Sequence, residues 1–90
     1  GSVFERYCGY QDSNKYRKCV TSSVTKETWA TFSKCAEVTK IPSDPEEQKK
    51  FFCDASNETK VTTFYYCLLE SFSPDEMKLF HEANEKCLNE

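Results

Sequence analysis

The sequence predicts an all-α fold: a small disulfide-stabilised bundle of about five short helices, arranged as two pseudo-repeated helical hairpins in one domain over residues 1–90. Three observations predict it. Two glycines and three prolines among 90 residues are too few for a turn-rich cystine knot. Apolar residues recur at i, i+3 and i+4, and no strand pattern survives comparison. Six cysteines fall into two triplets, Cys8, Cys19 and Cys35, then Cys53, Cys67 and Cys87. Residues 19–35 read CVTSSVTKETWATFSKC and residues 67–87 read CLLESFSPDEMKLFHEANEKC. Slid together, Cys19 meets Cys67, Ser23 meets Ser71, Glu27 meets Asp75, Phe32 meets Phe80 and Lys34-Cys35 meets Lys86-Cys87. The gap required is about one helical turn. The pseudo-repeats span about residues 3–38 and 45–89.

The elements follow in order. The first segment, Val3 to about Tyr10, sets Phe4, Tyr7 and Cys8 on one side. Gln11 to Asn14 interrupt it, Lys15 to Val20 resume it as a short turn or helix, and Thr21-Ser22-Ser23 read as a loop. The next helix starts near Thr25 and runs to about Val38 with Trp29, Phe32 and Ala36 as its apolar stripe. Ile41-Pro42 ends it, because a proline disfavours helix at the residue before it. Ser43 or Asp44 then caps a helix with Pro45 at its first position and Glu46-Glu47 at the positive end of its dipole. Phe51, Phe52 and Cys53 form its buried end. Asn57 caps the helix Glu58 to Leu69, whose stripe is Val61, Phe64, Tyr65 and Leu68. The strongest start signal is Ser73-Pro74-Asp75-Glu76, a capping box with proline at N1. Met77, Phe80, Ala83, Asn84 and Cys87 follow on one face.

Ninety residues make one small domain that is marginal without cross-links. Six cysteines supply them and imply an oxidising, extracellular compartment. Zinc sites bring ligands in close pairs, whereas the nearest cysteines here are eleven apart (Cys8 and Cys19). Gly1-Ser2 reads as a cloning remnant, from which a secretory leader has been removed. The longest apolar stretch, Phe64 to Leu69, is too short to span a bilayer. Asn57-Glu58-Thr59 is a glycosylation sequon. Net charge is −3, split as +2 over residues 1–45 and −5 over residues 46–90. No basic stripe of the nucleic-acid-binding kind exists, and a cationic membrane-lytic peptide is a poor match.

Six cysteines allow fifteen pairings, and sequence alone does not choose among them. An antiparallel hairpin around residues 21–25, and its counterpart in the second repeat, would set Cys8 beside Cys35 and Cys53 beside Cys87, leaving Cys19 with Cys67 to join the halves. A link from Cys8 to Cys87 would contradict that arrangement.

No catalytic residue is expected. The acidic pairs Glu46-Glu47 and Asp75-Glu76 stand at helix starts, where carboxylates stabilise the dipole. No nucleophile–base–acid set or Gly-rich phosphate loop can be assembled. The single histidine, His81, with Glu85 at i+4, is a weak metal candidate, since a firm site needs more ligands. No cofactor is implied. Thirteen aromatic residues exceed what the core requires. Phe51, Phe52, Phe64, Tyr65, Tyr66, Phe72 and Phe80 either fill a solid core or line a pocket for a small apolar ligand. Tyr7, Tyr10, Tyr16 and Trp29 would suit an exposed contact patch.

Residues 67–87, with Ser-Pro-acidic after a cysteine and then Phe, Ala and a closing Cys, resemble part of the microplusin family. These are secreted, helical, six-cysteine antimicrobial proteins of arachnids. The resemblance implies the fold and a defence role, and the family's activity of withholding copper or iron through histidine-rich termini. This chain has neither such end, so no functional residue carries over. The cysteine pairing inferred above (first with third, second with fifth, fourth with sixth) is also similar to that of insect odorant-binding proteins. Those have a short gap between their second and third cysteines, where this chain has Val20 to Lys34.

The leading expectation is therefore a secreted, non-enzymatic protein of arachnid type. It would bind an unidentified protein or microbial-surface partner in defence, venom or saliva, as an antimicrobial or a toxin. The alternatives are an extracellular carrier of small hydrophobic ligands and a metal-sequestering antimicrobial protein.

Overall fold

Helical spacing builds helices along nearly the whole chain. The computed structural model describes residues 2–90. In order they form α1 (Val3–Gly9), α2 (Ser13–Ser23), α3 (Lys26–Val38), α4 (Pro45–Phe52), a single 3-10 turn (Ala55–Asn57), α5 (Glu58–Ser71) and α6 (Pro74–Leu88). No strand occurs among the described residues. Six α-helices thus replace the expected five. Of the Gly1-Ser2 pair, Gly1 lies outside the described residues, whereas Ser2 caps α1. Its hydroxyl accepts from Glu5 N–H at 3.1 Å, and its own N–H donates back to the Glu5 carboxylate.

Short polar side chains start the other helices too. Asp12 caps α2, Thr25 caps α3 and Asp44 caps α4 ahead of Pro45. Ser73 and Glu76 close the expected capping box on α6 at 3.1 and 2.9 Å. Asn57 stands at the start of α5 but makes no side-chain cap. Its Nδ2 reaches back instead to donate to Phe51 O at 3.1 Å. The α3 helix ends on a left-handed residue, Lys40 at φ 59°. Ile41 N–H bonds Ala36 O at 2.8 Å and Lys40 N–H bonds Glu37 O at 3.1 Å, the two bonds of a Schellman cap.

Thr21, Ser22 and Ser23 are helical, contrary to the loop expected there. Their hydroxyls donate to the carbonyls of Arg17, Lys18 and Cys19 at 3.0, 2.7 and 2.8 Å. Residues that usually compete with a helix are absorbed by it when they bond back along the turn. With α2 this long, the chain does not form one hairpin per half. Instead α2 packs on α6, α3 on α5, and α1 on α4, so the halves interleave.

The interleaving overturns the expected cysteine pairing. The disulfides are Cys8–Cys53, Cys19–Cys87 and Cys35–Cys67. None of Cys8–Cys35, Cys53–Cys87 and Cys19–Cys67 forms, and the two-hairpin picture goes with them. So does the likeness to odorant-binding proteins that rested on that pairing. Spacing had placed each cysteine on a helix face; it carried no information on which helix lies opposite. Every disulfide now joins one triplet to the other. Exchanging Cys8 with Cys53, Cys19 with Cys67 and Cys35 with Cys87 maps the set onto itself, and maps α2–α6 packing onto α3–α5. At the centre of this exchange, Thr28 Oγ1 lies 3.5 Å from Glu76 Oε2, the two third residues of α3 and α6.

The core is Phe32, Cys35, Ala36, Ile41, Phe64, Leu68 and Phe72, with Trp29, Met77 and Phe80 packed against it. Phe32 sits at the crossing. It stacks on Trp29 at 4.7 Å, meets Phe64 edge-on at 5.1 Å and Phe80 at 5.4 Å. Cys35 and Cys87 are fully buried, and Cys19 and Cys67 are half-buried. Cys53 is exposed and Phe51 and Phe52 are half-buried, so the end of α4 is less buried than expected. Phe51 and Phe52 pack against the edge of the core, Phe52 5.3 Å from Phe64 of α5, while Cys53 at the helix end faces solvent.

Candidate functional site

The first half contributes one face of α2. Ser13, Tyr16, Arg17 and Val20 fall at i, i+3, i+4 and i+7, so they line up along one side of the helix. Tyr7 and Phe4 of α1 stand beside them, and α3 presents Trp29 and Phe32. From the second half come Phe52, then Val61, Phe64 and Tyr65 of α5, and Phe80, His81 and Asn84 of α6. Together these residues surround a cavity of about 360 Å³. That volume falls within the ~300–1,000 Å³ of small-molecule sites. The α2–α4 seam is closed by direct packing, whereas no such packing joins α1 to α5. The cavity's solvent-exposed lining residues include Phe4 and Tyr65, 49% and 47% exposed, and His81.

The wall is mainly aromatic. Tyr7 lies 5.3 Å from Tyr16 and 6.3 Å from Phe52, and Phe52 lies 5.3 Å from Phe64, ring centre to ring centre. A few polar groups interrupt it. Tyr16 Oη donates to Asn84 Oδ1, and Asn84 Nδ2 donates to Phe80 O at 2.9 Å. Arg17 Nη2 donates to Gln48 Oε1 at 2.9 Å, and its guanidinium lies 5.1 Å from the centre of the Trp29 ring. Gln48 is buried and its Nε2 is bound to Pro42 O at 2.9 Å. Arg17 forms no ion pair among the described residues. Burial draws its pKa below the ordinary arginine range, with Tyr7, Asp44 and Tyr16 opposing. Burial likewise pushes the phenols of Tyr7 and Tyr16 far above the ordinary tyrosine value. Ser13, 4% exposed, has a buried Oγ with no hydrogen-bond partner. Buried polar atoms are seldom left so, because the desolvation is then uncompensated.

A second concavity, of about 610 Å³, lies on the other side of Arg17, Trp29 and Gln48, between α3 and the α3–α4 linker. Its rim includes the exposed Ser33, Glu37, Lys40 and Ser43, so it is a groove open to solvent.

The aromatic residues expected to line a pocket divide. Phe52, Phe64, Tyr65 and Phe80 line the cavity, whereas Phe72 is buried in the core beneath it and Phe51 packs at the core's edge. The expected contact patch does not exist: Tyr7, Tyr10, Tyr16 and Trp29 are all half-buried, and all but Tyr10 line the cavity. Sequence reasoning missed Ser13 and Arg17, although their spacing with Tyr16 and Val20 was a readable signal. His81 is exposed at the cavity wall, and Glu85 accepts Arg6 Nη1 at 3.2 Å. Among the described residues no group of three or more His, Cys, Asp and Glu side chains converges. Asn57 Nδ2, the atom a glycan would occupy, is the one bound to Phe51 O.

All six cysteines are paired, and no helix among the described residues is long and apolar enough to cross a membrane. The three disulfides fit a small extracellular disulfide-rich protein. No protein-family model, curated protein or solved structure matches the chain.

Proposed function

We propose that the protein is a secreted, non-catalytic binder of small hydrophobic molecules. The observation that carries this is the aromatic-walled cavity opening between α1 and α5. A domain of this size has little net stability. An empty void against aromatic rings forfeits the dispersion contacts those rings would otherwise make. An apolar occupant restores them. The disulfides support the same reading, since each ties one half to the other and so fixes helices that contribute to the cavity wall.

An uncharged naphthylamine dye tests it. The dye is expected to bind saturably at one site per chain and to quench Trp29, the single tryptophan. Val61→Trp, which puts an indole into the opening, is expected to abolish binding while leaving the helical circular dichroism unchanged. Non-saturable binding, or binding indifferent to the wedge, would remove the carrier reading.

A second reading keeps a macromolecular partner in defence, venom or saliva, in line with the microplusin resemblance. It is favoured by Tyr65, Tyr66 and Leu69 on α5, which are 47%, 60% and 46% exposed. Growth inhibition of microbes that survives Val61→Trp but is lost with Tyr66→Ala would support it over the carrier.

A further inference from the structure

The cavity's charge is one-sided. No Asp or Glu lines it, and Arg17 is the one permanent charge in its wall. That cation has a neutral amide and an aromatic face as neighbours, but no carboxylate paired with it among the described residues. A partly desolvated charge without a counterion is costly unless something supplies one. One turn away on the same face of α2, Ser13 Oγ is buried and unpartnered. The Tyr7 hydroxyl, across from α2, also makes no hydrogen bond to the described residues. One cation and one hydroxyl thus stand along α2, a second hydroxyl stands on α1, and aromatic rings make up most of the remaining wall.

We propose that the ligand is a monoanionic amphiphile, an acyl carboxylate of medium chain length, with its head at Arg17, Ser13 and Tyr7 and its tail among Phe52, Phe64 and Phe80. The carboxylate accepts from the guanidinium, where an ionised acceptor makes the stronger bond. Its second oxygen accepts from the serine hydroxyl, which restores the partner that Ser13 lacks. The tail leaves toward the gap between α1 and α5. Arg17 and Tyr7 are both half-buried, so a head group between them would be partly withdrawn from water. This assignment rests on the cavity being a ligand site, and the test separates the two ideas.

Dodecanoate, its methyl ester and dodecanol share one chain and differ in the head. Isothermal titration and Trp29 fluorescence on the intact, oxidised protein are expected to give dodecanoate at least tenfold tighter binding than either neutral compound. Arg17→Gln is expected to remove that preference while dodecanol affinity stays within twofold, and Arg17→Lys to keep most of it. Ser13→Ala is expected to weaken dodecanoate a few-fold. Should dodecanol bind as tightly as dodecanoate, or Arg17→Gln leave the preference in place, the anionic head is wrong and the apolar carrier stands. Should none of the three bind saturably, the carrier reading itself falls. The comparison of head groups on the unaltered protein decides the question even if Arg17→Gln fails to fold.

Discussion

Two seams of the bundle correspond under exchange of the halves, yet they differ. Between α2 and α4 the helices pack directly, and Arg17 and Gln48 lock across the contact. Between α1 and α5 there is no comparable packing, and Phe4 and Tyr65, one from each helix, are solvent-exposed residues of the cavity wall. The disulfides obey the exchange and the seams do not. A doubled frame therefore supplies rigidity twice over, while the space for a ligand arises where one of two equivalent contacts has been left unmade. In this molecule the informative residues are those that break the correspondence.

The largest test of that contrast is to remove disulfides in pairs. Closing loops with separations of 68 and 32 residues stabilises by about 4 kcal/mol each in the chain-entropy picture. Replacing Cys19 and Cys87, or Cys35 and Cys67, by alanine is expected to cost similar amounts in chemical denaturation, since each pair sets one buried sulfur against one half-buried. The Cys8–Cys53 bond, whose Cys53 is exposed and Cys8 half-buried, is expected to be reduced first in a partial-reduction mapping experiment. A large disparity between the two buried pairs would break the equivalence of the halves.

Helix caps sharpen the comparison on a smaller scale. Ser73 has the fuller sequence signal, but it is exposed, and Ser73→Ala is expected to cost about 1 kcal/mol. Thr25 looked weaker, yet its Oγ1 accepts from the Thr28 N–H at 3.0 Å and donates to the Thr28 hydroxyl at 2.9 Å, and Thr28 is 0% exposed. Thr25→Ala removes both the acceptor of the Thr28 N–H and the donor to its buried hydroxyl, which keeps only the long contact to Glu76, and is expected to cost about 2 kcal/mol. Thermal unfolding of the two variants side by side checks the order. The smallest effect is expected at the end of α3. Lys40 adopts the left-handed conformation that glycine takes without a steric penalty. Lys40→Gly is expected to raise stability by up to about 1 kcal/mol, net of the freedom glycine adds to the unfolded chain.

Local grammar was legible and long-range geometry was not. Asp44-Pro45, Thr25 and the Ser73–Glu76 box begin helices where their chemistry requires. The Trp29, Phe32 and Ala36 stripe points to the core as its spacing demands. Thr21 to Ser23 misled because their hydroxyls bond inward along α2 rather than competing with it. The cysteine partners were unreadable for a different reason: periodicity orients a side chain about its own axis and is silent on the neighbour across the gap. The same limit governed the site. Phe52, Phe64, Tyr65 and Phe80 could be suspected from their aromatic clustering, but Ser13 and Arg17 gain meaning from the emptiness in front of them.

The cross-linking scheme has one more consequence, for survival in a protease-rich fluid. Any single peptide cleavage between Cys8 and Cys87 is straddled by Cys8–Cys53 or Cys19–Cys87. A molecule nicked once in an exposed connector, such as the Ser43–Asp44 stretch, would separate into fragments on a gel after thiol treatment but stay one particle until then. Neither portion is a detachable module, because each helix of one lies against helices of the other. Damage to the backbone is thereby uncoupled from loss of the assembled shape.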